Sequence, residues 1–155
     1  MYQRILVATD GSESSQLALA HAIDLSRDQH AKLRIVHVVD PFILPMMGTS
    51  PQVADIGPTI ETPRAAGREI LGQASSAARS AGITADTALI EDANDNSRIA
   101  SVIASEAERS KSDLIVMGTH GRRGLSHLFM GSVAESAIHI APVPVLLVRA
   151  RPTPK

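Results

Sequence analysis

A chain of 155 residues and 16.4 kDa is the size of one domain, and 44% hydrophobic with 20% charged residues is the make-up of a folded protein, not a disordered one. A formal charge of -1, an aromatic content of 2% (Tyr2, Phe42, Phe129) and no cysteine remove three things in turn: a global field for nucleic acid or anionic lipid, base-stacking platforms, and all disulfide or thiolate chemistry. The opening Met1-Tyr2-Gln3-Arg4 leads into an apolar run too short for a signal peptide or membrane span, so the expected setting is the cytoplasm, with neither nucleic acid nor membrane as partner.

Short β-branched runs alternate with longer stretches of helical period. Ile5-Leu6-Val7-Ala8 is a continuous apolar run closed by Thr9-Asp10-Gly11, as expected of a strand covered on both faces. Ser12 to about Gln29 reads as a helix, with Ala18, Ala22 and Leu25 on one stripe and a polar first turn. Leu33 to Val39 is a second strand, stopped by Asp40-Pro41. Five of the nine prolines (41, 45, 51, 58, 63) then fall between Asp40 and Pro63, which forbids a long helix or a central strand and predicts a long loop.

A second helix carries Ile70, Ala74, Ala77 and Ala81 and stops near Gly82. Ile83 to Ile90 is a third strand whose weaker patterning places it toward an edge, followed by a turn and cap cluster from Asp92 to Ser97. Ile99, Val102, Ile103 and Ala107 mark a third helix, Asp113 to Met117 a fourth strand, Gly118 to Met130 a glycine-rich loop, Ser132 to about Ile140 a short helix, and Val143 to Val148 a final strand. Five strands alternating with four helices predict a doubly wound α/β domain, a five-stranded parallel sheet with helices on both faces. We assign residues 1–150 to this single domain and 151–155 to a frayed tail.

In open sheets of this kind ligands sit beyond the carboxyl ends of the strands. The candidates are Thr9-Asp10-Gly11, Val38 to Asp40 and Gly118 to Ser132. The last set holds four of the ten glycines (118, 121, 124, 131) and runs from a buried strand into a helix. Such a turn bares successive main-chain N–H groups, and a helix opening at Gly131-Ser132 adds its own free N–H groups and positive dipole end. Ser132 is placed to cap that helix or to lend its hydroxyl to a phosphate oxygen. Glycines after a strand also simply make turns. Neither the P-loop pattern nor G-x-G-x-x-G is present, so any phosphate loop here is of another kind.

Gly118-x-x-Gly121, nine residues, then Gly131-Ser132 resembles the G-2x-G-9x-G-[S/T] signature of the ATP-binding branch of the universal stress protein family. The surrounding text is similar too: Asp113 to Gly121, Gly131-Ser132-Val133-Ala134, Pro142 to Val148, Arg4 to Ser12 and His37-Val38, so that the likeness runs from Arg4 to about Arg149. The resemblance implies a Rossmann-like fold of the adenine nucleotide alpha hydrolase type, with an adenine nucleotide site built from three strand ends. By similarity Asp10 would bond the ribose, Ala8, Thr9 and Val38 would line the adenine pocket, Met117 and Gly118 would pass under the nucleotide, and Gly121, Gly131, Ser132 and Val133 would hold the phosphates of ATP, with Mg²⁺. A lone carboxylate suits ribose hydroxyls and repels phosphates, yet Asp10-Gly11-Ser12 equally reads as a helix cap or Asx-turn, and the two roles can coexist. The resemblance also implies a homodimer through the final strands, where Val143 to Val148 would be an uncovered hydrophobic edge with one donor removed at Pro144.

Other residues read more plainly. Arg122 and Arg123 either neutralise phosphate or form a solvated loop tip, and His37 on an apolar strand reads as a hydrogen-bonded core residue. His120 and His127 lack a third ligand, and Asp92-x-Asn94-x-Asn96 fails as a calcium loop because Ser97 and Ile103 stand where Gly and Glu are needed. The expected function is a stress-response regulatory protein that holds ATP without turning it over rapidly; the alternative is a slow ATPase or autophosphorylating enzyme, with Ser126 or Ser132 as acceptor.

Overall fold

The computed structural model describes residues 1–39, 63–91, 96–120 and 130–150. The loop expected between residues 40 and 62, most of the cluster at 92–97, Gly121, Arg122, Arg123, Ser126, His127 and the tail at 151–155 lie outside the described residues. Five strands, β1 (Arg4–Ala8), β2 (Lys32–Val38), β3 (Ala85–Ile90), β4 (Leu114–Gly118) and β5 (Val145–Val148), form one parallel sheet in the order β3-β2-β1-β4-β5. Among the described residues four helices separate them: α1 (Glu13–Gln29), α2 (Pro63–Ser80), α3 (Asn96–Ser110) and α4 (Ser132–Ile140). The doubly wound architecture is as expected, with β3 and β5 on the two edges.

The alternation within each strand assigns the two faces. Ile5, Val7, Leu33, Ile35, Leu114 and Val116 pack with α1 and α2, while Leu6, Val36, Ile115 and Met117 pack with α3 and α4. The central strands are buried on both sides because each side carries a helix layer, which is why their sequences read as unbroken apolar runs. Among the described residues no helix is long and apolar enough to cross a membrane.

Boundaries shift by one to two residues for identifiable reasons. Ser12 is the N-cap of α1, its hydroxyl accepting from the Ser15 N–H at 3.3 Å, so the helix proper starts at Glu13. α2 closes with Ile83 N–H on Ala78 C=O (2.9 Å) and Gly82 N–H on Arg79 C=O (2.9 Å), with Gly82 at φ +79°. Ile83 is thereby spent on ending the helix, and β3 begins at Ala85. β5 begins at Val145 because Pro144 joins the sheet through its carbonyl alone, which accepts from Ile115 N–H at 3.0 Å.

Candidate functional site

Strand order reverses at β1: the chain steps outward through β2 and β3, then returns past β1 to β4. The crevice beyond the carboxyl ends of β1 and β4 is the topological switch point. Ala8 pairs in register with Val36 on one side and Met117 on the other, so the three strand ends stand side by side. Thr9 N–H extends the β1–β2 ladder by donating to Val36 C=O at 2.9 Å, and Thr119 N–H extends β4 by donating to Val148 C=O at 2.9 Å.

The helix after β4 is pulled back to this crevice by one bond, Gly131 N–H to Thr119 C=O at 2.8 Å. Gly131, not Ser132, is the N-cap of α4, and it makes no side-chain capping bond. That corrects the capping role read for Ser132, which is instead the first residue of the helix and exposed. Gly131 has φ -68° and ψ 147°, a conformation open to any residue. Backbone freedom therefore does not explain a glycine here. Its bareness leaves the first amides of α4, at the positive end of the helix dipole, without a capping side chain at position 131.

The β1 end is held by a serine-rich first turn. Asp10 Oδ1 accepts from the Ser12 N–H at 3.0 Å and from the Ser12 hydroxyl at 2.6 Å, an Asx-turn that fixes the carboxylate at the rim of the crevice. Thr9 is buried and engaged in the protein: its hydroxyl is hydrogen-bonded to the Ser15 hydroxyl at 3.2 Å, and its carbonyl accepts from His37 Nδ1 at 2.8 Å. His37 is thus the hydrogen-bonded core residue expected of it, protonated at Nδ1 in this bond.

Met117 is also buried, its side chain packed in the α3/α4 core, whereas Ala8, Val38 and Val133 are half-buried. Gly118 has a packing reason of its own. A Cβ placed on it would lie 2.8 Å from Ser14 C and 2.9 Å from Ser15 N, so the first turn of α1 sits directly on the end of β4. The structure therefore brings Ala8, Thr9, Asp10, Met117, Gly118, Gly131 and Ser132 to one end of the sheet, with Val38 at the end of β2 and Val133 in the first turn of α4. Gly121 lies outside the described residues.

Two features were not read from the sequence. The hydroxyl of Ser14 donates to the carbonyl of His120, tying the α1 N-terminus to the loop leaving β4. The signal was present as the Ser12, Ser14, Ser15 run, but a serine-rich first turn reads only as a cap until the opposing carbonyl is placed. His120 itself bonds the Thr119 hydroxyl through Nδ1 at 2.9 Å, and its Nε2 is buried with no hydrogen-bond partner among the described residues. Among the described residues no group of three His, Cys, Asp or Glu side chains is gathered for a metal ion.

A five-stranded parallel sheet in this order, with its crevice between the first and fourth strand ends, defines an open Rossmann-like α/β domain. The chain belongs to the universal stress protein family, whose sequence profile matches residues 1–149. It is 35% identical over 152 residues to a universal stress protein of Methanocaldococcus jannaschii, covering 96% of this chain and 83% of the relative. Among solved structures, a universal stress protein family member from Burkholderia pseudomallei superposes with a TM-score of 0.69 at 32% identity, over 96% of this chain and 97% of the other. A universal stress protein in complex with cAMP superposes with a TM-score of 0.65 at 26% identity, over 96% and 97% of the two chains.

Proposed function

We propose that this protein binds an adenine nucleotide, ATP with Mg²⁺, in the crevice beyond β1, β2 and β4, and holds it as a regulatory ligand. The observation that carries the reading is the uncapped start of α4, bound back to β4 through Gly131 and Thr119. Free amides at a helix N-terminus favour phosphate by direct hydrogen bonds and by the helix dipole together. The solved relative in complex with cAMP lends further support, since an adenine nucleotide is the ligand class involved.

Roles follow from chemistry. Ser132 and Val133 offer main-chain N–H groups, Gly131 keeps their approach free of a side chain, Gly121 is the remaining glycine of the signature, and the Ser132 hydroxyl adds a donor for a phosphate oxygen. Asp10, held away from these amides at the end of β1, accepts from ribose hydroxyls. Ala8, Val38 and Thr9 form the apolar wall for adenine; Thr9 serves by shape, its polar groups being already bonded inside the protein. Met117 and Gly118 offer main chain beneath the nucleotide. Mg²⁺ enters with the phosphates that chelate it. Every group assigned to the phosphates is a hydrogen-bond donor, which stabilises bound charge without abstracting a proton from water.

Self-association through β5 belongs to the same reading. β5 is the sheet edge, and Leu146 on it and Ile138 and Ile140 on α4 are exposed large hydrophobics. Two-fold pairing of such an edge would cover them. Light scattering at micromolar concentration is expected to give twice 16.4 kDa, and a single 16.4 kDa species would refute the pairing.

Equilibrium dialysis against ATP and Mg²⁺ tests the site. The expected result is saturable binding, lost in Gly131→Val because the branched side chain fills the approach to the amides. Unchanged binding in that variant would remove the helix start from the account.

A further inference from the structure

The amino end of the sheet, opposite the crevice, carries a second concentration of charge. Arg4, Lys32, Arg34 and Asp86 lie on adjacent strands, Arg4 in register with Lys32 and Arg34 with Asp86. With Glu106 and Arg109 from the end of α3 they line a cavity of about 240 Å³. Its charged lining is four cations against two carboxylates, in a chain whose formal charge is only -1.

Glu106 organises this cavity. It is 4% exposed and accepts from Arg34 Nε at 2.5 Å on one oxygen and from Arg109 Nε at 2.8 Å on the other. A buried carboxylate shared by two guanidiniums fixes both in place. Arg34 spends only its Nε on this bond, so its two Nη groups, with four N–H donors, have no protein acceptor among the described residues. Arg4 gives one Nη to the Ser110 carbonyl at 3.3 Å, and no carboxylate among the described residues pairs with its side chain; the nearby Asp113 carboxylate is taken by the main-chain N–H groups of Gln3 and Arg4. Lys32 is exposed, with no ion pair among the described residues.

We propose that this cavity is a binding site for a small phosphate-bearing anion, separate from the nucleotide crevice. Arg34, Arg4 and Lys32 all line this one cavity, and guanidinium forks match phosphate geometry. The volume falls below that of ordinary drug-sized pockets, roughly 300–1,000 Å³, which restricts the ligand to a small molecule. Asp86 at the rim, on the Arg34 register position, disfavours ligands that extend along β3.

The test is an amide NMR titration of the whole chain, free of nucleotide, with inorganic phosphate against chloride at matched ionic strength. The expected result is saturable shifts at the amides of Lys32, Arg34 and Asp86 that chloride does not reproduce. Arg4→Gln and Lys32→Gln should each weaken the apparent affinity about tenfold, the scale of one charge-assisted contact. Both are surface changes that leave the Glu106 pairs intact, so folding does not confound them. Succinate as a parallel probe should bind at least tenfold more weakly. Shifts that do not saturate, that match chloride, that ignore both substitutions, or that appear only at Ser132 and Val133 would overturn the proposal, as would tighter binding of succinate.

Discussion

Gly131 and Thr119 are joined by a 2.8 Å main-chain hydrogen bond across eleven intervening residues, and this one bond sets the start of α4 against the end of β4. The cap it creates has ordinary φ and ψ yet carries no side chain. An acidic or hydroxyl residue at this position would cap the helix better than glycine by a few tenths of a kcal/mol, roughly, with up to about 1 kcal/mol more from a carboxylate at the dipole. Stability alone would therefore not select glycine here.

Gly131→Asp separates the two demands. It should raise the midpoint of urea unfolding slightly, because the new carboxylate accepts from the free amides. The same carboxylate occupies the place assigned to phosphate, so ATP binding should fall more than tenfold. A variant that binds ATP as the parent does would show that these amides are not the phosphate site.

Asp10→Asn keeps an oxygen for the Ser12 N–H, so the Asx-turn survives and stability should change by less than about 0.5 kcal/mol. Its loss of charge weakens bonds from ribose hydroxyls, since charge-assisted bonds are about twice as strong as neutral ones. ATP affinity measured by dialysis should drop by about tenfold, while an inorganic triphosphate, lacking a ribose, should bind both forms alike.

Gly118→Ala tests the packing of α1 on β4. The added methyl would meet main-chain atoms of Ser14 and Ser15 at 2.8 and 2.9 Å, and main chain cannot swing aside as a flexible side-chain end can. Overpacking of this kind costs about 1–3 kcal/mol, to be read as a lower urea midpoint at unchanged slope. An unchanged midpoint would mean that α1 and β4 are not in this contact.

Glu106 and Arg109 share an ion pair of 2.6 Å but differ sharply in surroundings, the carboxylate 4% and the guanidinium side chain 68% exposed. Arg109→Ala should cost less than about 1 kcal/mol, as exposed pairs do. Glu106→Ala leaves Arg34, 23% exposed, without its carboxylate, and should cost about 2 kcal/mol, below the figure for a fully buried pair. Equal losses in the two variants would contradict the role given to Glu106.

Much of this was legible in the sequence. Ile5 to Ala8 and Leu114 to Met117 read as buried strands because helices cover both faces of the sheet, and the weak pattern of residues 83–90 marked the edge strand correctly. The alternative readings of Asp10 also had physical content, since the Asx-turn is formed. What escaped were features made by distant partners. α1 and α3 end in left-handed residues, His30 at φ 57° and Lys111 at φ 55°, where only α2 shows the expected glycine. That the Met117 side chain lies in the α3/α4 core was not legible either, because a strand-end position does not say which way the pleat turns. Nothing along the sequence singles out Glu106, because its partner Arg34 lies 72 residues earlier.

A crystal structure of the protein grown with excess ATP and Mg²⁺ tests the central claim most directly. The account predicts phosphate oxygens about 3 Å from the main-chain nitrogens of Ser132 and Val133, with ribose hydroxyls on Asp10. ATP bound elsewhere on the chain, or a helix start filled by protein side chains, would contradict it.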